Sequence, residues 1–386
     1  MTAVRSAVTS SPTGSANRRA ANRRTVVQAW LASRGLIALV ALLLAVYQGR
    51  TLSDMVDQWD VEHFTNLATN GYLGRADGTL MAFFPGLPSL LRVGLELGLP
   101  IYLTGVIIAA ICSYLAAAAL ARLGGPVAAV AWLFAPTAVF TIVPYTEALF
   151  CAAAFWAWER ARADKWAAAA GLAAVACTVR VSGLFLVGAL VVLAITLRTP
   201  GPGGEGEWRE RGRRLGWLLI PAAVLGAFVL YLYSLTGSWT AWYHAQSTGW
   251  ARAMTPPWDA FWNTVAATHA DPDHPLWPPV FLAEIVAMAI GVVVVGWCLG
   301  RRLWAEASWV AIQVLAFSIS YWFMSVNRAI LLWFPLWMMI AQLVTWRPEH
   351  VATRTIHRVV VGLAFLGSVL AMLAWSWLYF TGNWAS

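Results

Sequence analysis

Apolar runs approaching the length of a bilayer crossing recur along almost the whole chain, and they limit its fold more than any other feature. A spanning helix needs about 20 predominantly apolar residues, because backbone N–H and C=O groups in lipid must be satisfied within the segment. The runs lie at about 25–47, 98–121, 126–143, 146–160, 165–180, 183–198, 215–236, 279–299, 306–324, 329–346 and 358–379. They predict an all-α integral membrane protein, one multi-spanning helical bundle of about eleven transmembrane helices. Composition agrees, with 60% hydrophobic and 11% charged residues against roughly 25% charged in a soluble domain. The formal charge of +8 does not point to nucleic acid, since the basic residues sit in short loops between apolar runs, as topology signals do. Cys112, Cys151, Cys177 and Cys298 lie inside apolar runs without a CxxC spacing, which predicts packing residues and neither disulfides nor a zinc site.

Residues 1–24 are rich in Ser, Thr, Ala and Arg with no apolar period, and are expected to form a disordered cytoplasmic tail. The remainder, 25–386, is then a single transmembrane domain. Its first run is too long for a signal-peptide core and lacks a clear small-residue cleavage site. With the eleven spans in place, twenty of the Lys and Arg residues fall on the side of the N-terminus. Six fall on the other: Arg50, Arg75, Arg92, Arg180, Arg252 and Arg328. That imbalance puts the N-terminus in the cytoplasm. The stretch from Leu80 to Pro100 would invert every later loop if it crossed the membrane. Its Pro85, Pro88, Arg92 and Glu96 instead predict an interfacial helix, with Leu87, Leu90, Leu91 and Leu95 facing lipid and the Arg92/Glu96 pair facing water. The first external loop then runs over 48–97 and a long external loop over 236–278, while 199–214 is a cytoplasmic loop. Richness in Ala, Arg and Trp fits a bacterium, and hence its cytoplasmic membrane.

The densest cluster of ionisable groups beside a span is Asp57-Gln58-Trp59-Asp60-Val61-Glu62-His63-Phe64. Asp60 can cap a short helix with Val61, Phe64, Leu67 and Ala68 on its apolar face, ending at Asn70-Gly71. Asp57, Asp60 and Glu62 can also face one cavity at the membrane surface, where a carboxylate partly desolvated by Trp59 is suited to general base chemistry. Two carboxylates alone are a weak metal signal. Two further polar interruptions share that side: Pro144-Tyr145-Thr146-Glu147 and Thr178-Val179-Arg180-Val181-Ser182-Gly183. Ionisable side chains at membrane depth are costly and tend to face internal cavities, which singles out Glu147, Arg180 and Arg328. Snorkelling to the interface is the plainer account of the two arginines. Against it, the arginine fork suits a phosphate. The long external loop adds Trp242, His244 and other aromatics that fit either an interfacial belt or a wall for sugar rings. Its His269, Asp271, Asp273 and His274 are read as turn formers before metal ligands.

In order along the chain stand Arg34, Trp59-Asp60, Asn70-Gly71-Tyr72, Ala82-Phe83-Phe84-Pro85, Tyr145-Thr146-Glu147, Arg180-Val181-Ser182-Gly183, Asn327-Arg328 and Trp333-Phe334-Pro335-Leu336. Taken in that order, these motifs resemble the PIG-V family, the second mannosyltransferase of GPI-anchor synthesis and its bacterial relatives. The resemblance implies a GT-C glycosyltransferase that takes mannose from polyprenyl-phosphate mannose on the outer face. It implies Asp60 as the catalytic base. Val179 before Arg180 departs from the commoner Thr-Arg-x-x-Gly form.

On this reading Asp60 accepts the proton of an acceptor hydroxyl that attacks C1 of the mannose with inversion, and Arg180 and Arg328 meet the charge of the departing lipid phosphate. Trp59, Glu62, His63, Tyr145, Glu147, Trp242 and His244 are the expected substrate-binding residues. No cofactor or metal is expected. The partners are the lipid-linked donor, a lipid-linked or glycolipid acceptor, and the bilayer. A lipid transporter or flippase lined by the same residues is the rival class. Another polyprenyl-linked sugar, and an inactive scaffolding subunit, are the narrower alternatives.

Overall fold

The structure, a computed structural model, describes residues 12–197, 205–269 and 272–385. Among these the chain is helical, with no strand and one isolated bridge between Met254 and Ser320. The first half comprises α1 (Pro12–Gln48), α2 (Leu52–Val56), α3 (Asp60–Asn70), α4 (Gly86–Glu96), α5 (Ile101–Gly124), α6 (Pro126–Leu133), α7 (Thr146–Arg162), α8 (Trp166–Cys177) and α9 (Ser182–Thr196). The second comprises α10 (Glu205–Trp217), α11 (Leu219–Thr236), α12 (Ala241–Trp250), α13 (Pro257–Ala266), α14 (Trp277–Gly300), α15 (Trp304–Ser318), α16 (Val326–Ala329), α17 (Phe334–Thr345) and α18 (Val351–Phe380).

Each of the eleven apolar runs coincides with a helix or a broken pair, but not all have the length of a span. Among the described residues five helices are long and apolar enough to cross a membrane: Ala20–Gln48, Ile101–Gly124, Gly206–Thr236, Trp277–Gly300 and Val351–Phe380. The pair Val326–Leu332 and Phe334–Thr345, bent by 75°, makes a sixth if taken as one span. Runs 165–180 and 183–198 shrink to helices of 12 and 15 residues, because Thr178 to Val181 forms a tight turn between them. The run 126–143 divides into α6 and a short 3-10 turn, Ala138–Thr141, around Pro136.

Three further expectations change. Helix α1 begins at Pro12, so 12–24 is helical rather than irregular; residues 1–11 lie outside the described residues. The cytoplasmic loop 199–214 is helical from Glu205, as the start of α10, and 198–204 lies outside the described residues. In α4, Leu87 and Leu91 are buried in the core while Leu90 and Leu95 are exposed, so only one pair of the four leucines faces outward. The other edge of that helix matches expectation, with Arg92 Nε 3.0 Å from Glu96 Oε1.

Helix α7 is the centre of the bundle. It is apolar nearly all round, and such a helix is stable only when surrounded by others. It packs on α5, α8 and α9, and Phe150, Phe155 and Trp158 are completely buried. Its two ends carry different chemistry. At the last turn Glu159 pairs with Arg122 of α5 and with Arg160, and Arg162 lies 3.6 Å from Glu306 at the start of α15. At the first turn Thr146 and Glu147 meet arginines from two other segments, Glu147 lying about 18 Å from Glu159 at 1.5 Å per residue. The bundle thus has two polar layers with apolar helix between them.

The bend between α16 and α17 falls at Trp333, before Pro335, where the helical ladder is interrupted. Carbonyls freed at membrane depth need partners, and indole N–H groups supply them: Trp132 Nε1 donates to Leu331 O at 2.9 Å and Trp309 Nε1 to Leu332 O at 3.1 Å. The break is therefore held from both sides by fully buried tryptophans. It places Arg328 at the same end of the bundle as Asp60.

Candidate active site

The site starts from the backbone of Trp59. This residue has φ 55°, a conformation that costs a non-glycine side chain of order 1–3 kcal/mol and clusters at functional positions. The strain turns the chain so that α3 begins at Asp60. Asp60 is thus the first helical residue rather than the N-cap, and its carboxylate is left for tertiary contacts. Its N–H donates to Tyr145 Oη at 3.2 Å. The far end of α3 stops as expected, at Gly71 with φ 71°.

Asp60 Oδ2 receives Arg328 Nη1 at 3.1 Å. Arg328 Nε lies 3.0 Å from Glu147 Oε1, a carboxylate with no solvent exposure. Arg180 Nη1 bonds the same Glu147 oxygen and also donates to Thr146 Oγ1 at 2.9 Å. The Arg328 guanidinium is flanked by the Tyr145 ring at 5.1 Å and the Phe140 ring at 5.3 Å, within the range of cation–π attraction. One network therefore joins Asp60, Glu147, Arg180 and Arg328.

Two glycines bring the pieces together. A Cβ on Gly86 would meet Thr178 Oγ1 at 2.6 Å and its carbonyl oxygen at 2.7 Å, where the Gly86 N–H donates to that carbonyl. The Phe83-Phe84-Pro85 element is thereby clamped to the turn that carries Arg180. A Cβ on Gly183 would meet Cys177 Cα at 2.6 Å, so the Arg180-Val181-Ser182-Gly183 turn requires glycine at its end. From above, α12 closes the site: Trp242 Nε1 donates to Ala82 O at 3.1 Å and Gln246 Nε2 to the same oxygen at 3.4 Å.

The result is a cavity of about 160 Å³ lined by Trp59, Asp60, Tyr145, Arg180, Trp242 and Arg328, together with Phe83, Gln246, Trp250, Arg252, Ser325 and Trp384. Arg252, counted from the sequence among the outer-side basic residues but given no role in the site, is one of the lining residues. Its Nε is buried without a hydrogen-bond partner among the described residues. Burial, with Arg328 nearby, draws its guanidinium down from the ordinary value to about 10, so it stays cationic at neutral pH. Arg180 and Arg328 are engaged by Glu147 and Asp60, while Arg252 lies within the field of Asp60 and Glu284. A second cavity of about 310 Å³ adjoins the first, sharing Phe84, Val181 and Trp242, and is apolar, walled by Leu225, Gly226, Phe228, Val229 and Leu232 of α11.

Not every expected residue reaches the site. Glu62 points outward, 74% exposed, and pairs with Arg75 at 3.3 Å; two residues past Asp60, it lies some 200° round the helix. Asp57 does not line the cavity. His63 is a packing residue, stacked on Phe83 with ring centroids 5.1 Å apart and edge-on to Trp250 at 5.6 Å. His244 is exposed on the outer surface of α12, away from the cavity lining. Arg34 lies elsewhere, buried in α1 and donating from Nη1 to Thr141 Oγ1 at 2.5 Å. Of the external-loop group, Asp271 lies outside the described residues, and no cluster of three or more metal-ligating side chains occurs among the described ones.

Fold and site together define a multi-pass helical membrane protein with a carboxylate and three arginines in a pocket at one polar end, next to an apolar groove. No family model matches the chain. It is similar to GPI alpha-1,6-mannosyltransferase 2 of rat, at 34% identity over 155 residues, and to the human and mouse proteins of that name, also at 34%. The resemblance drawn from the motifs is thus borne out. The rat alignment covers 35% of this chain and 31% of that protein, so the chain spans about a third of the length of the relatives it matches. Among solved structures it is similar to ArnT from Cupriavidus metallidurans bound to undecaprenyl phosphate, with TM-score 0.47 and 15% identity over 91% of this chain and 76% of that one. It is also similar to the oligosaccharyltransferase AglB from Archaeoglobus fulgidus, in complex with an inhibitory peptide and a dolichol-phosphate, with TM-score 0.44 and 12% identity over 89% and 56%.

Proposed function

We propose that the chain is a membrane glycosyltransferase that moves mannose from polyprenyl-phosphate mannose to a hydroxyl of a lipid-linked or glycolipid acceptor, at the outer face of a bacterial cytoplasmic membrane. The observation that carries the reading is Asp60 at the wall of a pocket lined by three arginines, opening beside an apolar groove. The alignment with the GPI mannosyltransferases, together with the count of basic residues on the two sides, supports the sugar class and the facing.

The step balances as an inverting displacement. The acceptor oxygen forms a bond to C1 of the mannose while the bond from C1 to the phosphate oxygen breaks, and the electron pair leaves with the phosphate. Asp60 takes the acceptor proton, a general-base role. The departing phosphate carries its charge to Arg252, whose Nε has no hydrogen-bond partner among the described residues, with Arg180 and Arg328 at the same wall; fixed cations aimed at a developing charge stabilise it without reorganisation. Cations from the protein suffice for this leaving group, so no divalent metal enters the step. Trp242, which lines both cavities, stands where sugar and lipid chain would meet.

The test is mannose transfer by the purified protein from synthetic polyprenyl-phosphate mannose to a panel of membrane lipid acceptors, for wild type, Asp60→Asn and Asp60→Ala, with and without chelator. Expected are transfer by wild type unaffected by chelator, and loss of transfer in Asp60→Asn with donor binding kept. If no acceptor is glycosylated while donor crosses proteoliposome bilayers at a rate indifferent to Asp60→Asn, the transferase reading gives way to a flippase.

A further inference from the structure

Arg328 sits on a turn that has no means of holding itself. Helix α16 is four residues long, too short to be stable alone, and it is entered through Ser325 at φ 67°. The backbone N–H groups at such an entry have no partners within the helix. All three that open it point to one side chain from a different helix. Glu284, two turns into the apolar helix α14, has no solvent exposure. Its Oε1 accepts the N–H of Ser325 at 2.9 Å, and its Oε2 accepts those of Val326 at 2.6 Å and Asn327 at 2.9 Å. Successive N–H groups converging in this way form an anion-binding nest, and here the anion is built into the protein.

The next residue in the chain is Arg328. The carboxylate therefore fixes the backbone of the turn one residue before the guanidinium that engages Asp60 and Glu147. Two neutral contacts complete the hold: Thr264 Oγ1 accepts the Phe323 N–H at 2.8 Å, and Thr137 Oγ1 donates to Asn327 O at 3.0 Å. Neither can replace three charge-assisted bonds, which are about twice as strong as neutral ones. A carboxylate in a spanning helix is costly, and core packing alone gives no reason for one at this position. We infer that Glu284 is a positioning residue, holding the Ser325–Arg328 turn so that Arg328 is presented to Asp60. The kinetic part of this inference rests on the proposed transferase reading; the structural part does not.

Glu284→Gln keeps the side-chain volume but sets an amide donor against N–H donors. Two readouts follow, on full-length protein in detergent or nanodiscs. By hydrogen exchange with mass spectrometry, Glu284→Gln should speed exchange about tenfold or more in the segment 323–330 and also at the start of α3 near Asp60, leaving α5 and α8 as in wild type. In mannose transfer, kcat should fall about ten- to a hundredfold with donor KM within about threefold. The double variant Glu284→Gln/Arg328→Gln should be no worse, within about threefold, than Arg328→Gln alone, since groups that act through one another are not additive.

Faster exchange throughout the bundle, or none near Asp60, would overturn the inference, as would losses that multiply in the double variant. A wild-type protein that transfers nothing would sink the transferase reading, and the exchange readout would then decide the role of Glu284 alone. Should Glu284→Gln not fold, Glu284→Asp, which keeps the charge on a shorter arm, carries the same comparison.

Discussion

Arg328 Nη1 lies 3.1 Å from Asp60 Oδ2, although 268 residues separate the two in the chain. The contact joins the first external loop to the broken helix near the C-terminal end, and it uses one carboxylate oxygen only. The arginine serves two carboxylates at once, hydrogen-bonding Asp60 through Nη1 and ion-pairing with Glu147, whose Oε1 lies 3.0 Å from Nε. That division needs a planar fork rather than a point charge.

Arg328→Lys is therefore expected to act as a severe change despite keeping the charge. An ammonium cannot reach both carboxylates in the same geometry. Arg328→Gln goes further and removes the cation from buried Glu147 and half-buried Asp60; stripping the partner from a buried charge typically costs about 3–5 kcal/mol. Thermal and denaturant unfolding in detergent should show Arg328→Gln well below wild type with Arg328→Lys between them, and transfer should be strongly reduced but still measurable in both. Wild-type stability in Arg328→Gln would mean that the network seen around Glu147 is not holding the bundle.

Arg252 plays a different part from the other two arginines, because no salt bridge to a carboxylate is seen for it among the described residues, whereas Arg180 and Arg328 each have one. Removing it should spare the fold and weaken the binding of an anionic donor. A hydrogen bond to a charged group is worth about 1.5–3 kcal/mol, so Arg252→Gln should raise the donor KM by roughly ten- to a hundredfold, with an unfolding midpoint close to wild type. Steady-state kinetics over a donor concentration series give the answer. An unchanged KM would remove Arg252 from the phosphate site.

What could be read from the sequence was the set of polar interruptions in apolar surroundings. Asp60, Glu147, Arg180 and Arg328 stand out because a bilayer-spanning chain has few reasons to place charges there, and all four do converge. Residues beside them were less legible. Glu62 follows Asp60 closely in sequence, yet helical geometry turns it to solvent. His63 looked chemical and turned out to be an aromatic-stack partner, since its neighbours in space, Phe83 and Trp250, come from distant segments. Glu284 carried a usable signal that was not used: it is a lone acid in the apolar run 279–299, and the same argument of membrane cost applies to it. Span number was the weakest inference, because hydropathy alone does not distinguish a helix sheathed by other helices, such as α7, from one that crosses lipid.

The apolar groove beside the pocket offers a test that leaves the polar site alone. Gly226 lines it, and a Cβ built there meets nothing within 4 Å. The branch point of a larger side chain therefore has open space, and Gly226→Trp should place an indole in the groove. If the groove takes the lipid chain, the variant should raise KM several-fold for a long-chain polyprenyl donor and much less for one with a short isoprenoid chain. Equal effects on both donors would place the lipid chain elsewhere.

His63 gives a stability prediction with a definite sign. Burial holds its imidazole below the ordinary value; Asp60, the next strongest influence, pulls the other way, and Arg75 adds to the lowering. A base whose folded value is lowered binds fewer protons in the folded than in the unfolded state just below about pH 6.5. Folding stability is then complete above that pH and declines as the pH falls through the window between the unfolded and folded values. Wild type should accordingly lose unfolding temperature between about pH 7 and pH 5. His63→Phe keeps a ring against Phe83 but cannot take up a proton, and it should show a shallower slope over that interval. The difference between the two slopes isolates His63 from the other titrating groups, so identical slopes would mean that this stack tolerates the imidazolium. A slope that flattens in His63→Phe would add a functional consequence. His63 stands three residues from Asp60 on α3, on the same side of the helix, and a proton taken up there at low pH would put a new cation beside the proposed base.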